Sequence, residues 1–326
     1  MAGITDASFR QLIKKVDPSA LLYTEFLSSD AITYGAKKTL KMLEFDADLE
    51  KPLIVQIFGA DPKKFLEACK IIEQMGADGI DINMGCPAAK IVSSCYGSAL
   101  IRRPDLAAEV VNAAVRAVSI PISVKTRLGW DTHETLIPFC QKLEEAGASA
   151  FAIHGRRYHD KFTGKANWAP IYELKKAVKV PVLGNGDIAS ADDALEKIGN
   201  LDGVMVGRAT WGNPWLMREI SEALSGRQKG EKGQERQESP QSGSSTRSLP
   251  EINAEKFQIF QKRIPFILEH YDIAIKLKGE TRGVLEMRRH MSSYVKGFDG
   301  AKDLRSRILQ MESLGEVREA LSKVRL

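Results

Sequence analysis

The sequence predicts an α/β protein: a (β/α)8 TIM barrel whose first strand is missing, followed by a small C-terminal helical domain. Two observations predict the barrel. Seven short β-rich, mostly apolar runs alternate with helical patterns between residues 21 and 209, which is typical of a parallel sheet covered on both faces. Polar and charged side chains also gather at the ends of these runs, on the face where barrels place their chemistry.

The seven predicted strands cover residues 21–28, 53–59, 79–85, 122–129, 150–156, 182–187 and 203–209. The helix pattern after the second strand has Asp61 as a cap, Pro62 in its first turn and Gly76 as its stop. The missing strand must be the first, because the opening residues, MAGITDASFR, predict a loop and then a helix. A doubly wound sheet is the alternative, but the Gly-rich fingerprint that usually follows its first strand is not found.

The character of the chain changes after Ile220. Residues 225–253 are rich in Gly, Ser, Gln and charge, which predicts a flexible linker or an exposed insertion. We therefore expect a barrel domain over residues 1–224 and a helical domain over residues 254–326. In the helical domain one stripe is predicted to be buried, formed by Val284, Met287, Met291 and Tyr294 or Val295.

Composition excludes several protein classes. The chain has no run of about 18 apolar residues, which a membrane helix needs, and no secretory leader pattern. We expect a cytoplasmic, monomeric protein that does not associate with membranes. The four cysteines form no C-x-x-C pair and show no metal-ligand spacing, so reduced thiols and no metal are expected.

Positive charge is concentrated in the C-terminal part of the chain. Residues 251–326 carry 15 Lys+Arg against 11 Asp+Glu, whereas residues 1–224 are nearly neutral. Arg282, Arg289 and Lys296 recur every seven residues on a face away from the apolar stripe. This pattern points to a polyanion partner, although a solvated helix face gives the same pattern.

The strand ends predict a site for a phosphorylated cofactor. Lys125 and Arg127 share one side of their strand, and two cations there require an anion or an electron-rich ring. Gly207 and Arg208 end the last strand, where barrels commonly bind phosphate. Flavin mononucleotide (FMN) fits these features, with Gln56 and His154 as further hydrogen-bonding groups. Taken singly, each of these residues also has an ordinary structural explanation.

One cysteine stands apart from the others. Cys86 lies between Gly85 and Pro87 where the strand over residues 79–85 ends. A thiol held there could act as a nucleophile or as a general acid. Cys69 and Cys140 lie on apolar helix faces and are expected in the core. Cys95 is ambiguous.

Together these residues resemble the tRNA-dihydrouridine synthases, and the bacterial B-type branch most closely. The resemblance covers nearly all of the chain apart from residues 225–253. It rests on these segments in this order: MAGITDASFR, INMGCPAAK, GSALIRRP, VKTRLGW, IHGR, GNGDI, GVMVGRA with GNPWL, and MRRHMSSYVKG.

The resemblance implies an FMN-containing barrel, joined to a helical tRNA-recognition domain, that reduces the C5–C6 bond of selected tRNA uridines with NADPH. It implies hydride transfer from flavin N5 to C6 and proton transfer from Cys86 to C5. Asn83 and Arg127 would contact the substrate, and Arg282, Arg289 and Lys296 the tRNA. The implied flavin contacts are Met1, Gln56, Lys125, His154, Asn185, Gly186, Asp187, Gly207 and Arg208.

The family normally begins with a strand that ends in Ala-Pro-Met-Ala-Gly, and only Met1, Ala2 and Gly3 correspond here. Two other functions remain open at this point. One is an FMN barrel reductase for a small molecule, related to dihydropyrimidine or dihydroorotate dehydrogenases, which would not need the basic helical domain. The other is a tRNA-binding protein without flavin.

Overall fold

The computed structural model describes residues 3–230 and 249–324. In these residues a parallel sheet of short strands forms the centre of the barrel domain. The strands are β1 (Leu22–Tyr23), β2 (Leu27–Ser28), β3 (Leu53–Phe58), β4 (Gly79–Asn83), β5 (Ile122–Arg127), β6 (Ala150–His154), β7 (Val182–Asn185) and β8 (Gly203–Met205).

The sheet follows the chain order β1-β3-β4-β5-β6-β7-β8, with β2 also paired to β3. All seven predicted strands are present, and the first of them is divided into β1 and β2. The division falls at Thr24, whose hydroxyl accepts the backbone N–H of Gln56 at 3.0 Å in place of a backbone carbonyl. Within the described residues β1 and β8 do not pair, so the sheet is an open, TIM-like barrel, as predicted.

Helices cover the outside of the sheet. In chain order they are α1 (Ala7–Val16), α2 (Ser29–Thr33), α3 (Lys37–Leu43), α4 (Ala47–Glu50), α5 (Pro62–Gln74), α6 (Ala89–Ser93), α7 (Pro104–Ala117), α8 (Leu136–Glu145), α9 (Ala169–Ala177), α10 (Ala191–Lys197) and α11 (Leu216–Gly230). Two 3-10 turns lie at Gly97–Arg102 and Arg208–Thr210. Asp61 caps α5 by accepting the N–H of Lys63, and Phe65, Cys69 and Ile72 of α5 are fully buried.

The C-terminal region is helical, as expected. It contains α12 (Leu249–Lys278), α13 (Glu280–Tyr294), α14 (Ala301–Ile308) and α15 (Leu314–Ser322). The predicted stripe is buried and includes both Tyr294, at the end of α13, and Val295, which follows it. The apolar spacing over residues 303–324 predicts one continuous helix. The structure has two helices there, because Ser313 and Glu316 form a capping box that starts α15.

Helix extends into both ends of the predicted linker. Helix α11 continues to Gly230 and α12 begins at Leu249, so residues 225–230 and 249–253 belong to helices. Residues 231–248 lie outside the described residues. The division of the chain into domains at these boundaries therefore stays a prediction.

The helical region packs directly against the N-terminal helix α1. Phe9 of α1 stacks on His290 with ring centroids 5.3 Å apart and lies 6.0 Å from the ring of His270. Asp6, the N-cap of α1, forms an ion pair with Lys278. Potential metal-ligating atoms of Asp6, His270 and His290 lie within 4.8 Å of one another, and the Lys278 ammonium already supplies a cation beside Asp6.

The four cysteines are all free. Cys69 and Cys140 are buried, as expected, and burial raises the pKa of Cys69 to about 12. Cys95 is exposed, and Cys86 is half-buried. Among the helices within residues 3–230 and 249–324, none has the length and apolarity that crossing a membrane requires.

Candidate active site

The carboxyl ends of the strands surround a cavity of about 370 Å³. Strand register brings the polar residues together: Asn83 pairs with Lys125, Arg127 with His154, and His154 with Asn185 on successive strands. Eleven of the predicted site residues line the cavity: Gln56, Asn83, Cys86, Lys125, Arg127, His154, Asn185, Gly186, Asp187, Gly207 and Arg208. Met1 lies outside the described residues.

A short turn after β4 carries the thiol of Cys86. The side-chain oxygen of Asn83 accepts the backbone N–H groups of Gly85 at 3.1 Å and Cys86 at 2.9 Å. Arg127 Nε donates to the Gly85 carbonyl at 2.7 Å. The turn is therefore fixed through its backbone N–H groups by Asn83 and through its carbonyl by Arg127. This places Cys86 at the wall of the cavity.

Asn83 is itself held by a chain of side chains below it. Its Nδ2 donates to Gln56 Oε1 at 2.9 Å, and Gln56 Nε2 donates to Asp81 Oδ2 at 2.7 Å. Ser123 Oγ donates to the other oxygen of Asp81 at 2.7 Å. Asp81 is fully buried, and burial raises its pKa to about 6 despite the hydrogen bonds from Ser123 and Gln56.

Sequence reasoning missed Asp81. The signal was present, because a carboxylate between Ile80 and Ile82 in a buried strand points to the same side as Asn83. A lone buried carboxylate is costly and needs partners. Those partners come from β3 and β5, which no local pattern identifies.

Lys125 places an ammonium group in the floor of the cavity. Its Nζ donates to Asn185 Oδ1 at 3.2 Å, and Asn185 Nδ2 donates to the Met205 carbonyl at 2.7 Å. Burial lowers the pKa of Lys125 to about 8, against the opposing charge of Asp81. The Lys125 ammonium therefore gives up its proton more readily than that of an ordinary lysine.

His154 lies beside Lys125 as a neutral imidazole. Burial, and then the charges of Lys125 and Arg127, hold its pKa well below the usual range. Its Nε2 lies 3.5 Å from Arg156. A neutral ring at this position can donate or accept a hydrogen bond without adding positive charge.

Arg156 is a second residue that sequence reasoning missed. It is buried, and its NH2 lies 2.8 Å from each carboxylate oxygen of Asp187. Although burial raises the pKa of Asp187, hydrogen bonds from Ala166 and Arg156 hold it below the usual value. Asp187 lies in the turn after β7 with a positive φ of 53°. Its ionised carboxylate is held in place by Arg156.

The loop after β6 holds an aromatic ring over the cavity. Arg127 NH1 donates to the carbonyls of Arg157 and Lys161, and Arg156 donates to those of Thr163 and Gly164. Between these anchors Phe162 lines the cavity and is 58% exposed.

Two guanidinium groups flank this ring. The guanidinium carbons of Arg127 and Arg208 lie 5.5 and 5.6 Å from the centroid of the Phe162 ring. Arg127 was predicted as a substrate contact, which stays a prediction; in the structure it holds the thiol turn and this loop. No local pattern in the sequence points to Phe162, because the loop around it is otherwise polar.

The cavity suits an anionic, flat ligand. Its lining contains four cationic residues, Arg10, Lys125, Arg127 and Arg208, and one carboxylate, Asp187. Arg10 is paired with Glu50, whereas the side chain of Arg208 is 62% exposed at the mouth. The rest of the lining is largely apolar, with residues such as Leu22, Ile188 and Met205. The donor set fits the predicted phosphorylated flavin.

The predicted tRNA-binding residues lie elsewhere. Arg282, Arg289 and Lys296 are exposed on α13 and just after it, and they do not line the cavity. Arg282 forms an ion pair with Glu286 at 2.8 Å. Arg289 NH1 donates to the carbonyl of Gly3 at 3.3 Å, at the N-terminal end of the barrel domain.

Comparison with protein families gives a match over residues 1–325 to the family described as "Dihydrouridine synthase (Dus)". The chain is 36% identical over 327 residues to "Probable tRNA-dihydrouridine synthase 1" of Synechocystis sp., covering 99% of this chain and 84% of that protein. It is 35% identical over 316 residues to "tRNA-dihydrouridine synthase B" of Pseudomonas aeruginosa, covering 96% and 87%.

Among solved structures, the chain is similar to a 2-naphthoyl-CoA reductase in complex with 2-naphthoyl-CoA. The TM-score is 0.54 with 13% sequence identity, covering 67% of this chain and 46% of the reductase chain. At this identity the likeness concerns the fold.

Proposed function

The chain belongs to the dihydrouridine synthase family, and from this premise we propose that it reduces the C5–C6 double bond of uridines in tRNA. One observation carries the proposal. Cys86 and the polar residues of neighbouring strand ends line a single positively charged cavity, which can place a thiol, a cofactor and a pyrimidine together.

We propose FMN as the cofactor and NADPH as the reductant. Lys125, Asn185 and His154 would hold the ring system, and Gly207 and Arg208 would hold the phosphate. When bound, reduced FMN supplies the hydride that C6 of the uracil receives. Gln56 uses its amide within the protein and would contact the cofactor with its remaining N–H.

Cys86 is the proposed proton donor. Addition of hydride at C6 leaves negative charge on C5 and on the adjoining carbonyl, and a neutral thiol next to C5 can discharge it by giving up a proton. Lys125 would stabilise that charge while it develops. Asn83 holds the Cys86 turn through two backbone N–H groups, which keeps the sulfur at a fixed height on the cavity wall.

The substrate must reach this cavity as a base turned out of the tRNA stack. The helical region is the proposed tRNA-recognition domain, because its exposed cations Arg282, Arg289 and Lys296 could neutralise phosphates. A tRNA substrate also implies that the protein works in the cytoplasm.

The test is to express this protein in a cell that has no other dihydrouridine synthase and to map dihydrouridine in the tRNA of that cell. Cys86→Ala should abolish the modification while the purified variant keeps its flavin. Cys95→Ala is the matched control and should leave both unchanged. Wild-type protein that retains flavin but forms no dihydrouridine would refute the proposal.

Assays on the purified protein distinguish the proposed function from the two alternatives. A reductase for a small molecule would bind flavin and oxidise NADPH with a free pyrimidine but not with tRNA. A non-catalytic tRNA-binding protein would bind tRNA and show no flavin absorbance.

A further inference from the structure

We propose that Asp81 is a positioning residue: it is the buried hydrogen-bond acceptor that anchors the chain Asp81–Gln56–Asn83 and thereby fixes the turn carrying Cys86. Its effect on turnover rests on the proposed function, whereas its effect on the turn does not.

The direction of each hydrogen bond in this chain is determined. An ionised carboxylate only accepts, so the Gln56 group that lies 2.7 Å from Asp81 is the amide nitrogen. Gln56 must then present its oxygen to Asn83, 2.9 Å away. Asn83 in turn presents its oxygen to the turn.

The other end of the chain demands the same direction. Backbone N–H groups only donate, and those of Gly85 and Cys86 converge on the single oxygen of Asn83. Pro87 follows Cys86 and has no N–H to contribute. The series of hydrogen bonds therefore runs from the two backbone donors beside the thiol to one acceptor in the core, the carboxylate of Asp81.

Asp81 is placed to act as a fixed end. It is fully buried in β4, and Ser123 on β5 donates to its second oxygen at 2.7 Å. Lys125 and Tyr23 are the titratable groups that interact with it from β5 and β1. None of these contacts replaces the bond to Gln56, so removal of the Asp81 acceptor would leave the amide of Gln56 unpaired and free to turn.

Two substitutions separate the acceptor from the charge. Asp81→Leu removes the acceptor in a similar volume, and Asp81→Asn removes the charge but keeps an oxygen for Gln56. The readout is hydrogen–deuterium exchange at the amides of Gly85 and Cys86, which needs neither cofactor nor substrate. We expect exchange to be faster by roughly tenfold or more in Asp81→Leu and close to the wild-type rate in Asp81→Asn.

Ser123→Ala is the matched control, because it removes a hydrogen bond to the same carboxylate without touching Gln56. Its exchange rates at Gly85 and Cys86 should stay close to those of the wild type, because the Asp81 carboxylate keeps its hydrogen bond to Gln56 and its place in β4. Far-UV circular dichroism confirms that each variant is folded. Should Asp81→Leu be misfolded, Gln56→Leu interrupts the chain one step later and should give the same faster exchange.

Turnover per bound flavin supplies a second readout. Asp81→Leu should lower kcat for tRNA roughly tenfold with little change in KM, and Asp81→Asn should restore most of it. Unchanged exchange in Asp81→Leu, or equal acceleration in Asp81→Asn, would overturn the proposal. If the wild-type protein lacks activity on tRNA, the proposed function fails, and the exchange measurement still decides the role of Asp81.

Discussion

Arg127 donates through Nε to the carbonyl oxygen of Gly85 at 2.7 Å, and this bond ties the end of β5 to the turn that carries the thiol. The same guanidinium holds the carbonyls of Arg157 and Lys161 in the loop after β6. One buried side chain thus fixes two separate walls of the cavity.

Arg127→Lys should loosen both walls, because a single ammonium cannot reach three carbonyls in the geometry of a guanidinium. We expect turnover per bound flavin to fall by roughly tenfold and trypsin to cut after Lys161 sooner than in the wild type. Arg116→Lys, on the exposed face of α7, is the control. Equal cleavage rates at Lys161 in the wild type and Arg127→Lys would show that the loop does not depend on this arginine.

Phe162 should contribute to binding of tRNA. It is an exposed aromatic ring at the cavity mouth between two guanidinium groups, and unpaired bases stack on such surfaces. Phe162→Ala should raise KM for tRNA by about tenfold, the effect expected when one base no longer stacks on an aromatic ring. Phe162→Tyr keeps the ring and should keep KM. A KM that is the same in all three proteins would argue against stacking.

The cations on α13 and just after it should set the salt dependence of tRNA binding. Replacing Arg282, Arg289 and Lys296 by Gln should weaken binding and make the dependence of log K on log salt shallower, by about one unit for each phosphate that is no longer neutralised. Arg282 should contribute least, because Glu286 already pairs with it. Filter binding at several salt concentrations measures the slope. The matched control replaces Lys63, Lys70 and Arg116, which are exposed on α5 and α7.

Acidification should destabilise the contact between α1 and the helical region. Burial lowers the pKa of His290 to about 4 from an ordinary value of 6.5. The unfolded chain therefore takes up this proton first as the pH falls. The free energy of unfolding should decrease as the pH falls from about 6.5 and should level off near pH 4. His290 should account for at most about 3 kcal/mol of this decrease.

Urea unfolding between pH 4 and pH 8 measures this effect. His290→Gln cannot be protonated, so its free energy of unfolding should vary less over the same range. His133→Gln replaces an exposed histidine and should behave as the wild type does. A pH dependence that is identical in all three proteins would assign the effect to other groups.

Much of the fold follows from local patterns in the sequence. Continuous apolar runs predict the strands, and Asp61 and Pro62 predict the start of α5 correctly. The break between α14 and α15 was missed although Ser313 and Glu316 carry a capping signal. Apolar spacing continues across that break, so spacing alone predicts one helix where the cap starts a second.

The placement of a residue in the cavity was predictable where the residue lies at a strand end, as with Lys125 and His154. It was not predictable where long-range contacts assign the role. Asp81 acquires its function from Gln56 and Ser123 on two other strands. Phe162 acquires its position from Arg127, which lies 35 residues earlier in the chain.

Phe9 belongs to two surfaces at once. One side of its ring stacks on His290 of the helical region, and the same residue lines the cavity that the strand ends surround. Because close-packed interiors transmit small displacements, a shift of the helical region against α1 would be felt at the cavity wall that Phe9 forms. A single phenyl ring thus lies between the helical region, which would bind tRNA, and the cavity, which would hold one of its bases.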